Sequence, residues 1–295
     1  MMRRVKCLFL MAAALLAPTL AHAAAADAYY ERTVMTAADQ RCHLFSGNLS
    51  AALGAAQAQA RGAAMRSGMT NTQLDSVQAR AANAASSAAC NSSDITTAAS
   101  RVRQAFDGYS KLQTMTYRGD ASSWWANRAA SQNYTTWRLS QSEPFGWNQL
   151  MFGIGGRGSD MGLLAVASFA DGAKPYSARL VLRDSARAPE PYLNVIRASS
   201  DGRIPLSARM PPAFATRDFF PQARGDADRT LLPPTASSAT AFRFPNAAAD
   251  ALARLDPRES VAVEFLFSSG APVRTAYVEV GDFAAGRAFL ATAQR

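Results

Sequence analysis

The chain has 295 residues, a formal net charge of +9 and 48% hydrophobic residues, which is enough for a buried core in one large or two smaller domains. It carries three cysteines and two histidines, so a histidine-built metal site has too few ligands. The positive charge is nearly all arginine and is spread along the chain, which argues against a nucleic-acid footprint.

Residues 1–23 read as a secretory signal peptide. Arg3, Arg4 and Lys6 form a basic start, Leu8 to Leu20 an apolar core, and Ala21-His22-Ala23 a small-x-small cleavage site. The apolar core is shorter than the roughly 20 residues a bilayer span needs, and no later stretch reaches that length, so no membrane span is expected after signal removal. The alanine-rich composition suggests a bacterial source, and export then places the chain in the periplasm or outside the cell. Removing the signal leaves His43 as the one histidine and Cys42 and Cys90 as the cysteines.

Residues 24–117 have helical periodicity. Thr36 and Asp39 resemble a capping box, followed by a stripe at Cys42, Phe45, Leu49, Leu53, Ala56, Ala60 and Ala63. Thr70 and Gln73 form a second capping box before Leu74, Val77, Ala81, Ala84 and Ala88. Ile95, Ala98, Val102, Ala105, Tyr109 and Leu112 mark a further helix. About three antiparallel helices are expected, the first two reversing near Gly68 as a helical hairpin. Alanine faces bury little apolar area, and Gly47, Gly54 and Gly62 weaken the first helix. A Cys42–Cys90 disulfide in an oxidising compartment supplies the missing restraint.

Residues 118–146 form a tryptophan-rich transition. Trp124, Trp125 and Trp137, with Trp147 just beyond, are either packing residues or a platform for a sugar or aromatic ligand. Residues 147–295 read as a β-rich domain. Period-two runs from Thr135 onward, at Thr135–Ser140, Trp147–Ile154, Gly162–Phe169, Tyr176–Arg183, Tyr192–Ala198, Arg203–Ala208, Ala213–Phe219 and Ala241–Phe244, suggest an antiparallel sandwich or barrel. Ala223 to Ser238 reads as a long exposed loop, and Asn246 as the cap of a short helix. Val261, Val263, Phe265 and Phe267 alternate along a strand. Ser268 to Pro272 turns, Val273 to Val280 returns, and Asp282 caps a closing helix bearing Phe283, Phe289 and Leu290. The expected class is therefore α+β.

Residues with chemical potential are few. His43 lacks a fixed partner beyond Asp39, and its neighbour Cys42 points elsewhere on a helix. Ser110-Lys111 matches no catalytic motif. Gly153 to Asp160 is glycine-rich but lacks the phosphate-binding lysine, and reads as a hairpin loop. Arg224-Gly225-Asp226 is a tripeptide of the kind that arises by chance. Asp160, Asp171, Asp184, Glu190, Asp201 and Asp218 lie near expected strand ends, and a pair about 5–9 Å apart could hydrolyse glycosides. No cofactor motif is present. The sequence thus points to an exported, non-catalytic binding or interaction protein, its partner an unidentified protein or envelope component. A carboxylate-dependent hydrolase directed at polysaccharide is the alternative.

Overall fold

Four helices open the fold: α1 (Ala17–Cys42), α2 (Gly47–Arg66), α3 (Asn71–Ser87) and α4 (Ser93–Tyr109). The computed structural model describes residues 17–129, 133–193, 204–268 and 270–292. Most of the expected signal segment (1–16), the core of the expected strand Tyr192–Ala198, and Asp201 lie outside the described residues.

The helix expected to run unbroken from Thr36 to Ala63 is two helices. His43 adopts φ 52°, a left-handed conformation that ends α1. Asp39 then holds the corner, its carboxylate accepting from the Phe45 N–H at 2.9 Å and from the Ser50 hydroxyl at 2.5 Å. Thr36 is not a cap but a mid-helix residue whose hydroxyl donates to the Arg32 carbonyl. The second capping box does form, with Thr70 and Gln73 reciprocally bonded at the start of α3. Four helices, rather than about three, therefore precede the sheets among the described residues. Both α2 and α3 pack on α1, and Cys42 at the end of α1 is bridged to Cys90 just beyond α3, with Cα atoms 5.7 Å apart.

Among the described residues eleven strands form two antiparallel sheets. The first seven are β1 (Thr114–Arg118), β2 (Ser123–Asn127), β3 (Thr136–Phe145), β4 (Asn148–Gly156), β5 (Gly162–Ser168), β6 (Ser177–Arg183) and β7 (Thr216–Phe219). The last four are β8 (Ala223–Asp226), β9 (Thr240–Phe244), β10 (Ser260–Leu266) and β11 (Arg274–Glu279). The larger sheet runs β1-β2-β3-β4-β5-β9-β8 and the smaller runs β11-β10-β6-β7. Strands β2 and β3 occupy the tryptophan-rich stretch, so much of that stretch is sheet, and β1 takes the last residues of the stretch expected to be helical. The expected loop from Ala223 begins as strand β8, paired to β9 through its backbone. All four β8 residues are exposed, so it leaves no apolar alternation in the sequence. The expected strand Arg203–Ala208 gives a 3-10 turn at Leu206–Arg209 instead.

One core lies between the sheets. Leu139, Leu150, Phe152 and Phe242 from the larger sheet meet Leu180, Val263 and Phe265 from the smaller. Phe265 is central: its ring stacks on Phe145 at 5.6 Å and meets Phe169 edge-on at 5.2 Å. Two further helices pack on the larger sheet, α5 (Asn246–Leu252) and α6 (Phe283–Ala291), and Arg287 of α6 donates to the Ala249 carbonyl of α5. Pro245, not Asn246, occupies the N-cap of α5. Asp282 precedes α6 but its side chain does not cap it; its carboxylate binds Arg66 of α2 instead. Thus α6 joins the helical layer to the sheets, packing on α2 on one side and on β2 and β3 on the other.

Candidate functional site

The four tryptophans do not form a platform together. Trp124 is fully buried, its indole N–H donating to the Val280 carbonyl at 2.9 Å and its ring 5.0 Å from Phe283. Trp137 is buried in a different cluster with Leu164, Val166 and Leu231, and donates to the Leu231 carbonyl. Trp125 is part-exposed on the opposite face of β2 from Trp124. Trp147 sits at the β3–β4 turn, 92% exposed.

The aspartates singled out in the sequence are mostly partnered at the surface. Asp160 pairs with Arg243, Asp171 with Arg274, Asp184 with Arg187, and Asp218 with Arg179. Glu190 accepts from Asn71. Such exposed pairs contribute little stability. His43 is exposed at its helix corner, and Arg224-Gly225-Asp226 forms the exposed edge strand. In the glycine-rich stretch, Gly153 and Gly155 belong to β4. A Cβ on Gly153 would lie 2.0 Å from the Leu139 carbonyl oxygen, and one on Gly155 would meet the Trp137 ring, so tight packing against β3 accounts for both. Among the described residues no cluster of three or more His, Cys, Asp or Glu side chains could hold a metal ion.

A buried acidic centre went unnoticed in the sequence. Strand β3 turns Leu139, Gln141, Glu143 and Phe145 to one face, and the carboxylate of Glu143 is carried inside with its apolar neighbours. Burial pushes the Glu143 carboxyl up to about 7; nearby Glu279 adds to the rise, and a hydrogen bond with Ser122 offsets part of it. Its Oε1 has no hydrogen-bond partner among the described residues. Glu279 of β11 is wholly buried but fully engaged. It accepts from the N–H groups of Asp120, Ala121 and Ser122 at 2.7–2.9 Å and from Arg209 at 3.1 Å, and so ties the β1–β2 turn to the smaller sheet. A shallow cleft of about 480 Å³ opens beside Glu143, lined also by Phe145, Asn148, Ser207, Arg274 and Tyr277.

The second concave feature lies in the helical layer. An apolar cavity of about 350 Å³ opens between α1, α2 and α4, walled by Val34, Met35, Leu53, Ala98 and Val102. A second of about 290 Å³ continues it toward β1, walled by Leu49, Ala52, Ala56, Phe106, Met115 and Tyr117. The two share Arg32, Leu53 and Val102, and so form one groove. It exists because α1 packs closely on α2 and α3 but α4 touches both α1 and α2 lightly. The small alanine faces noted in the sequence leave the space unfilled. Arg32 lies at the junction. Its guanidinium donates to the Ala56 carbonyl at 3.0 Å, and burial pulls it below the usual arginine range, with Glu31 partly opposing. No described carboxylate lies within ion-pair distance of it.

Compared with known proteins, the chain matches no family model, no curated protein and no solved structure. Among the described residues no helix is long and apolar enough to cross a membrane.

Proposed function

We propose that this chain is an exported binding protein, periplasmic or secreted, which holds an apolar ligand or partner segment in the groove between α1, α2 and α4 and performs no covalent chemistry. The observation that carries this reading is the groove itself: two apolar cavities in series, each near the lower end of the volumes typical of ligand sites, about 300–1,000 Å³. Export is supported by the N-terminal sequence pattern and is compatible with the Cys42–Cys90 bridge. In this reading the two facing sheets are a β-sandwich that serves as a scaffold, with α6 holding the helical layer in place.

The runner-up is a carboxylate-dependent hydrolase, favoured by the raised pKa of Glu143 beside a cleft. Two-carboxylate hydrolysis needs a second acid about 5–9 Å away that is free to act. Glu279 is the nearby candidate, and its oxygens are occupied by three backbone N–H groups and Arg209. That engagement favours a structural role for Glu279 and the binding reading for the protein.

An uncharged apolar fluorophore such as phenylnaphthylamine tests the groove. Its emission should rise with the wild-type protein and not with Ala56→Phe, which fills the inner cavity. Equal enhancement by both proteins would remove the groove from the account.

A further inference from the structure

We propose that the groove binds a single-chain amphiphile with an anionic head, such as a free fatty acid, with its carboxylate on Arg32. This rests on the groove reading above and adds the chemical class of the ligand.

Four observations converge on it. The lining between Leu49 and Phe106 is almost continuously apolar, which suits a hydrocarbon tail. Along α4 the lining of the inner cavity extends from Val102 to Tyr109, about 10 Å at 1.5 Å per residue, which takes the part of an acyl chain nearest its head. The two cavities meet at Arg32, Leu53 and Val102, so one cationic group serves both. The charged groups on the lining are Arg32, Arg101 and Glu31, two guanidiniums against one carboxylate.

Arg32 is the selective element. It is half-buried against apolar walls, and a cation in that setting loses hydration that an anion could replace. Its bond to the Ala56 carbonyl fixes the guanidinium at the junction and leaves other N–H donors for a carboxylate, which arginine can hold through two parallel bonds. Glu31 precedes it in sequence, so the two side chains leave the helix in different directions. A ligand carboxylate on Arg32 therefore starts its tail at Leu53 and Val102, the two apolar residues common to both cavities, and sends it into the inner cavity toward Leu49 and Phe106.

The test is calorimetric titration of the purified full-length protein with dodecanoate, dodecanol and dodecyltrimethylammonium, each below its micelle concentration. Dodecanoate should bind at least about tenfold more tightly than dodecanol, and the cation more weakly than either. Arg32→Gln should erase the preference by weakening dodecanoate to about the affinity of dodecanol, and Arg32→Lys should restore part of it. Ala56→Phe should abolish binding of both; Val102→Phe, from the opposite wall, replaces it if the first variant loses its helical circular dichroism. Equal affinity for dodecanoate and dodecanol, unmoved by Arg32→Gln, would overturn the anionic-head assignment and leave the groove reading standing. Failure of all three amphiphiles to bind would overturn both. Undiminished binding in a folded groove-filling variant would place the ligand elsewhere and overturn both as well.

Discussion

Arg66 of α2 grips Asp282, the residue before α6, through two hydrogen bonds of 2.6 and 3.0 Å. The pair joins residues 216 positions apart and ties the helical layer to the end of the β-rich part. Asp282 is buried, so its carboxylate depends on the guanidinium for compensation. Space for it comes from Gly62, one turn before Arg66, where an added Cβ would stand 2.4 Å from the Asp282 oxygen. The glycine that weakens the helix by propensity alone is therefore what lets α2 and α6 meet.

Gly62→Ala should consequently destabilise the protein, although alanine in a helix is ordinarily favoured over glycine by about 1 kcal/mol. Arg66→Met should cost about 3–5 kcal/mol, because it leaves the Asp282 charge buried and unpaired. Urea unfolding of both variants measures this. A stabilising Gly62→Ala would show that α2 and α6 do not meet as described.

Glu143 makes stability depend on pH in an unusual direction for a carboxylate. Its folded pKa of about 7 lies above the ordinary value of 4.5, so the native state prefers the protonated acid. The associated stability is present below pH 4.5 and is lost as pH rises to about 7, since the unfolded chain releases that proton earlier. Glu143→Gln removes the titration. It should stabilise the protein by on the order of 2 kcal/mol at pH 8 and have little effect at pH 4. Denaturation midpoints of the two proteins across that range give the comparison, and parallel curves would refute the assignment.

The bridge between Cys42 and Cys90 closes a 48-residue interval, and Cys42→Ser should lower stability by about 2–4 kcal/mol. Arg41 donates to the Ser86 and Ala88 carbonyls at the same junction, so loss of the bridge should loosen the contact between the ends of α1 and α3 without releasing it. Hydrogen exchange should therefore rise first in α1, α3 and α4, with the sheets protected. Uniform exposure of helices and sheets would contradict that order.

Phe265 and Glu264 test the strand register. Phe265 is fully buried among Phe145, Phe169 and Phe242, and Phe265→Ala should cost about 3–5 kcal/mol. Glu264 faces the other way and binds Arg179, with Arg179 Nε 2.8 Å from its carboxylate. Glu264→Gln should cost about 0.5–1 kcal/mol, somewhat more than a bare solvated glutamate would. A larger loss for Glu264→Gln than for Phe265→Ala would invert the register.

The sequence shows the strands whose two faces differ and hides those whose faces match. β10 was legible from Val261, Val263 and Phe265, whereas β8 pairs through its backbone alone and left no pattern. Cys42 and Cys90 could be paired from export and helix periodicity. The break at His43 could not be read, because the apolar stripe from Cys42 to Ala63 continues in phase across it. Glu143 and Arg32 were missed for a related reason: each sits at a position where its neighbours are buried, Leu139 and Gln141 for one, Thr33 and Met35 for the other. A charged residue on an apolar face is the signal that could have found both.

The central claim is that the helical groove is a ligand site, and the most direct measurement looks at what the protein carries from its own cell. Protein recovered from the exported fraction is denatured in organic solvent and the extract is analysed by mass spectrometry. The account predicts a single-chain amphiphilic acid, released in stoichiometric amount from the wild type and missing from a folded Ala56→Phe variant. The same extract from both proteins, or none from a wild type that also binds no added amphiphile, would contradict it.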